Sequence, residues 1–224
     1  DFPNPHVHSL RVGADAIDAY RHVNNAVYLQ WLDLAAWSHS DALGVSAGLC
    51  LGLDRGMVVH RAELDYLRAA LEGDAIEIAT WIARVGRTSF DFGHRITRLK
   101  DGAIAGRARM TVVNVGADGP SPIDSGIATC VIDEAAPAAL PWPGAKPTQS
   151  WKRQWIVCPS DQDSFGHVNQ ARYVDFIDDT RWFASQAGAP AGVEGPLASL
   201  SVEYLREAHA GDCVQMETWG TGER

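Results

Sequence analysis

The chain has 224 residues, 46% of them hydrophobic and 21% charged, with a formal net charge of −9. That mix describes a globular protein of one large domain or two of about 100 residues each, and its acidic balance argues against nucleic acid, which needs a basic stripe. No apolar run approaches the roughly 18–20 residues of a membrane span, and no basic, apolar leader opens the sequence, so a cytoplasmic protein is expected.

In chain order, the opening His6 and His8 read as part of an exposed strand. Asp18 then stands four residues before His22-Val-Asn24-Asn25-Ala-Val-Tyr28. From Asn24 to Leu43 there is no Pro or Gly, and Val27, Tyr28, Leu29, Trp31, Leu32, Leu34, Ala35 and Ala36 spread around most of a helical wheel. This predicts a helix covered on most sides, capped at its start by Asn24 or a neighbour and ended by Gly44. Four β-branched or alternating segments follow: Met57–Leu67, Ala75–Arg84, Thr88–Leu99 and Ala103–Val115. Gly-containing turns separate them, so an antiparallel meander curled around the helix is expected, an α+β pattern.

The polar heptad then recurs. His167-Val-Asn169-Gln170-Ala-Arg-Tyr173 follows Asp163 at the same spacing, and Asp178 and Trp182 match Asp33 and Trp37. At a slightly shorter offset, Asp65–Trp81 lies over Glu203–Trp219, sharing Tyr-Leu-Arg, Gly-Asp and Thr-Trp. Two matching blocks in the same order make a tandem duplication. Residues 1–132 form the first expected domain and 151–224 the second, joined by a Pro- and Ala-rich linker over 133–150. The second copy repeats the helix, from Asn169 to about Ala187, and two strands. The two strands that would complete its meander are expected beyond Arg224.

Asp-x-x-x-His-Val-Asn-Asn, then Ala-x-Tyr and a long helix, resembles the hotdog-fold acyl thioesterases, including the 4-hydroxybenzoyl-CoA group and the acyl-carrier-protein enzymes of plants and bacteria. The resemblance spans the chain as a tandem double hotdog, each unit a long central helix wrapped by an antiparallel sheet. It implies hydrolysis of acyl-CoA or acyl-carrier-protein thioesters without cofactor or metal. It also implies an intramolecular pair of hotdogs with the active sites at their interface, and leaves further homo-oligomerisation open.

Thioester hydrolysis needs a base or nucleophile, a group that holds water or the acyl carbonyl, and a donor for the developing oxyanion. A carboxylate just before a helix can be fixed by local hydrogen bonds, and the first helical turn offers backbone N–H groups to negative charge. By resemblance, Asp18 is the base or nucleophile and the amide near Asn25 polarises the carbonyl. His22 and Asn24 position water or substrate, and Glu63 on the next strand completes the set. Where the plant enzymes carry an Asn two residues after the Asp, this chain has Tyr20. In the second copy Asp163, His167 and Asn169 are kept, while Gln170 replaces Asn25 and Ser201 replaces Glu63. The first copy is therefore expected to be the better equipped. If Asp18 and Glu63 share one pocket, their mutual repulsion raises a pKa.

Plainer roles stand beside these. Asp18, Asp163, Asn24 and Asn169 could be helix caps, and His22 and His167 structural. Glu63 could pair with Arg61 or Arg68 at the surface, Arg107 and Arg109 could be solvated, and Tyr28 belongs to the core or to an acyl-pocket wall. Cys50, Cys130, Cys158 and Cys213 lack any Cys-x-x-Cys spacing and read as buried thiols in a reducing compartment. The alternative function is a non-catalytic acyl-thioester-binding hotdog, a sensor or scaffold; a hotdog dehydratase is a weaker third.

Overall fold

The computed structural model describes residues 5–43, 56–123, 131–132, 149–189 and 196–219. Its elements run β1 (His6–Arg11), α1 (Asn25–Ala42), β2 (Gly56–Tyr66), β3 (Ala75–Val85), β4 (Ser89–Arg98), β5 (Ala103–Gly116), β6 (Gly119–Pro120), β7 (Trp151–Ile156), α2 (Gln170–Gln186), β8 (Ser199–Glu203) and β9 (Cys213–Thr218). No described helix is long and apolar enough to cross a membrane. Contacts divide the chain into Asp1–Leu140 with Ala198–Leu205, and Pro141–Leu197 with Arg206–Arg224. The division departs from a cut through the Pro/Ala-rich segment alone, because β8 hydrogen-bonds to β2.

The first unit is an antiparallel sheet in the order β1-β3-β4-β5-β2-β8, with β6 on β5. The order corrects the expected simple meander: β2 pairs with β5, while β3 pairs with β1 and β4. A sheet that must wrap a helix gains by carrying β2 across to its far side. Side chains alternate along each strand, and one face buries Ala62, Leu64, Ile76, Ile78, Phe90, Phe92, Ile96, Ala108 and Met110. Against this face lies α1, with Leu29, Leu32, Ala35 and Ala36 buried. Each large apolar side chain so buried contributes about 1.5–3 kcal/mol. Asn24 caps α1, its side chain accepting the Ala26 amide. Gly44, the expected stop, lies outside the described residues. Leu34 is exposed, so the helix keeps one open side.

The pairing of β2 with β8 sets Glu63 directly opposite Ser201, with Arg61 opposite Glu203 and Asp65 opposite Ser199. Glu63 and Ser201 are the matching positions of the two copies, so a local two-fold axis passes between them.

Three histidines line the other end of this core. His6 is not the exposed strand residue expected: its Nε2 lies 2.8 Å from Ser38 Oγ and its ring stacks on His39 at 5.6 Å. His39 and His94 are both buried and both flank Phe92. His94 Nδ1 bonds Thr80 Oγ1 at 3.0 Å. Burial drives the pKa of His94 down to about 3 and that of His39 to about 4, with a smaller push from the neighbouring histidine in each case. Both are neutral at pH 7.

The second unit, described by itself, pairs β7 with β9 antiparallel and lays α2 on them. Its core joins Val157, Val168 and Phe176 with Trp155, Tyr173, Ala208, Val214 and Met216. Asn169 caps α2 as Asn24 caps α1, and Gly188 follows the helix with φ 84°. Cys158 and Cys213 are exposed free thiols, correcting the expectation of burial. Cys158 sits in the loop leaving β7 and Cys213 at the start of β9, both on the surface; Cys50 and Cys130 lie outside the described residues.

The same three-residue loop precedes each helix. The Asp18 amide donates to the His22 carbonyl at 2.9 Å and the Arg21 amide to the Asp18 carbonyl at 3.0 Å. The corresponding bonds of Asp163, His167 and Gly166 are 3.0 and 3.1 Å. The last loop residue is left-handed in both, Arg21 at φ 66° and Gly166 at φ 81°, the arrangement of a three-residue hairpin with a glycine-type bulge. Second bonds tie each hairpin into its unit: Val23 N–H to the Ala70 carbonyl, and Val168 N–H to the Ala208 carbonyl.

Two outcomes follow from these geometries. A Cβ at Gly166 meets nothing within 4 Å, so Gly166→Ala should cost only the left-handed backbone term, about 1 kcal/mol; Arg21→Gly should raise stability, and urea unfolding of both variants checks this. For His94 the folded pKa lies below the unfolded value, so the unfolded chain binds the proton first as pH falls. Its contribution is fully present above pH 6.5 and is lost towards pH 3, about 3 kcal/mol of it by pH 4. Urea midpoints measured from pH 7 to pH 4 should fall less steeply for His94→Gln than for the parent.

Candidate active site

In the first hairpin, Asp18 Oδ1 accepts the Tyr20 amide at 2.8 Å and, more loosely, the His22 amide at 3.4 Å. Its other oxygen, Oδ2, lies 3.4 Å from His22 Nδ1. Neither side chain is sealed off: Asp18 is 16% exposed and His22 27%. Asn24 Oδ1 takes the Ala26 amide at 2.7 Å, so the Asn holds the helix start and the Asp, freed from capping, faces the His. Asn25 opens the helix, and its carbonyl accepts the Tyr66 hydroxyl at 3.2 Å. Tyr28 is buried: its hydroxyl accepts the Ala70 amide at 3.1 Å and its ring packs on Trp31 and Tyr66. Burial raises its pKa. Tyr28 thus ties the loop after β2 to the helix.

The second hairpin repeats this almost bond for bond. Asp163 Oδ1 accepts the Phe165 amide at 2.9 Å, and Oδ2 lies 3.4 Å from His167 Nδ1, with the pair 22% and 25% exposed. Asn169 Oδ1 caps α2 through the Ala171 amide at 2.9 Å, and Gln170 is the first helical residue.

Below the hairpins the copies diverge. Where the first has Ala16 and Val27, the second has Asp161 and Arg172, a buried carboxylate with a guanidinium 2.8 Å away. Burial pushes the Asp161 carboxyl up, yet the Cys158 amide and Arg172 outweigh it and hold it below the usual range. His209 also belongs to the second copy alone. Its Nδ1 donates to the Gly166 carbonyl at 2.9 Å, a bond that raises its pKa.

Glu63 is buried on β2, and Arg61 Nη2 lies 2.8 Å from its Oε1. The same guanidinium nitrogen donates to Ser201 Oγ at 3.4 Å, across the local two-fold. Alternation puts Ala62, Leu64 and Tyr66 on the face that meets α1, and Glu63 on the other. Glu63 thus stands in an ion pair with Arg61, the carboxylate buried and the guanidinium partly exposed.

Asp18, His22 and Asn24 thus come together, as do Asp163, His167 and Asn169; Tyr28 joins the core, and Glu63 joins Arg61. What sequence reasoning passed over is the ring at Tyr20 and at Phe165. Each stacks on the histidine of its hairpin, at 6.0 Å and 15° for Tyr20–His22 and 5.8 Å and 8° for Phe165–His167. The repeat alignment already sets the two aromatics over each other. A pocket of about 300 Å³ in the second unit is lined by Trp151, Arg153, Thr180, Phe183 and Ala184. It flanks the last turns of α2, roughly 16 Å or more along the helix from Asn169, and so is not beside the hairpin.

In structure the chain is similar to an acyl-ACP thioesterase from Bacteroides thetaiotaomicron (TM-score 0.77, 20% identity, 92% of this chain and 83% of that one). It is similar also to a 12:0-ACP thioesterase from Umbellularia californica (TM-score 0.79, 18% identity, 96% and 87%). A 1,4-dihydroxy-2-naphthoyl-CoA thioesterase from Synechocystis matches 56% of this chain with 94% of its own (TM-score 0.53, 17% identity). At these identities the likeness is one of fold, the α+β tandem double hotdog. No curated relative matches in sequence. The sequence profile of the thioesterase-like superfamily covers residues 12–140 and 157–221. Because those two segments run through both hairpins and both helices, the chain belongs to the thioesterase-like superfamily.

Proposed function

We propose that this protein hydrolyses the thioester of acyl-CoA or acyl-carrier-protein substrates, with Asp18, His22 and Asn24 as one reaction centre and Asp163, His167 and Asn169 as the other. The observation that carries the reading is the repeated geometry. Each copy leaves a partly exposed carboxylate oxygen 3.4 Å from an imidazole, at the start of a core helix. A helix cap alone would not need it, since Asn24 and Asn169 do the capping.

In the proposed reaction the carboxylate acts as general base or nucleophile. As base, it takes a proton from water while the water oxygen bonds to the thioester carbon. Negative charge builds on the carbonyl oxygen, where the amide near Asn25 or Gln170 and the positive end of the helix oppose it. The C–S bond then breaks, and the proton passes to the leaving thiolate. The histidine, oriented by the carboxylate, positions water or substrate.

The test measures free-thiol release from a panel of acyl-CoA thioesters of graded length. The isosteric pair Asp18→Asn and Asp163→Asn should together lower turnover by about two to four orders of magnitude while leaving the unfolding midpoint near the parent. Of the single variants, Asp18→Asn should remove the larger share, because the first copy keeps Asn25 where the second has Gln170. Parent-like turnover in the double variant would remove both aspartates from the reaction, and a parent that binds acyl-CoA but releases no thiol would be a thioester-binding protein only.

A further inference from the structure

Resting on that reading of the hairpins, a more specific role falls to the residue two places after each aspartate. We propose that Tyr20 and Phe165 are positioning residues for the two reaction centres, each holding the carboxylate with its backbone and the imidazole with its ring. The amide of each donates to Oδ1 of the aspartate, at 2.8 Å from Tyr20 and 2.9 Å from Phe165. That leaves Oδ2 as the oxygen that faces histidine Nδ1, at 3.4 Å in both copies. The ring of the same residue lies nearly parallel to the imidazole, at 6.0 and 5.8 Å between centroids. One residue therefore fixes both partners of the Asp–His pair.

Burial does not explain the aromatics. Tyr20 is 62% exposed and Phe165 42%, so little apolar surface leaves water on their account. The tyrosine hydroxyl is dispensable to the arrangement, since Phe165 stacks as closely without one. What the two share is a flat ring against a flat ring, a contact that restricts rotation of the histidine about its side-chain bonds. Between them stands the left-handed residue, Arg21 or Gly166, in a loop closed by its own hydrogen bonds. The stack is thus carried on a fixed turn, and the backbone amide survives any replacement except proline. The ring can be removed without disturbing the carboxylate's bond.

The test compares the Tyr20→Ala/Phe165→Ala double variant with Tyr20→Phe and the parent, using whichever saturated acyl-CoA the parent hydrolyses fastest. The double variant should lose about two- to ten-fold in kcat, the size expected of a lost aromatic contact, with KM within about two-fold and a urea midpoint only slightly below the parent's. Tyr20→Phe, which restores the ring that the second copy already carries, should return to the parent's kcat. In NMR spectra the His22 and His167 ring-proton resonances should move in the double variant and not in Tyr20→Phe. This readout does not require turnover, so failure of the stack and failure of the thioesterase reading are distinguished. The role is overturned if kcat is unchanged while the resonances move, if KM rises with kcat constant, if Tyr20→Phe is as impaired as the alanine variant, or if the resonances do not move.

Discussion

The hydrogen bond from the Asp18 amide to the His22 carbonyl, with its twin from Asp163 to His167, closes the loop that carries each Asp–His pair. Without that closure the carboxylate and the imidazole sit on a free segment, and nothing sets their separation. With it, the chain re-enters at Val23 or Val168, bonds to the loop beyond the following strand, and starts a helix under an asparagine cap. The division of labour between Asp and Asn depends on this order. An asparagine at the cap satisfies the helix, so the aspartate binds only amides of its own loop through Oδ1 and leaves Oδ2 facing the histidine.

The sequence made this much legible because the features are local. Spacing from Asp18 to Asn24 fits a short loop and a cap, and a stretch without Pro or Gly from Asn24 to Leu43 fits one long helix. A second appearance of both removed coincidence. Strand order was not legible, because β2 could pair with β3 or with β5 on the same pattern of alternation; only the need to enclose α1 decides. Glu63 is similar. Its neighbours Arg61 and Arg68 were both at hand, but whether the pair is solvated depends on what covers the outer face of β2. His6, His39 and His94 come from three elements far apart in sequence, and their proximity is a product of the finished core. The stacked rings differ from these: Tyr20 and Phe165 were visible in the repeat, but stacking needs the left-handed turn between ring and imidazole, which the Arg at position 21 disguises.

The hairpins agree closely while the layer beneath them does not. Ala16 and Val27 stand in the first copy where Asp161 and Arg172 form an ion pair in the second. A buried ion pair must recover the cost of leaving water through its own geometry, and Asp161 does so with both the guanidinium and the Cys158 amide. The loop bonds are the same in both copies although these residues differ, so the loop geometry is the property that both copies retain.

The axis between Glu63 and Ser201 marks a freedom that a tandem chain has and a pair of identical chains lacks. Two identical chains meeting along this strand in the same register would place the residue at the axis against itself. A glutamate there would face a glutamate, and like charges directly opposite in a sheet destabilise it. Fusing two copies into one chain lifts that restriction, since each side of the axis can then mutate alone. Here one side carries the acid, the other a serine, and Arg61 reaches both. A tandem chain can therefore hold at this pairing what two identical strands could not, an acid, a hydroxyl and a base that divide the roles among themselves.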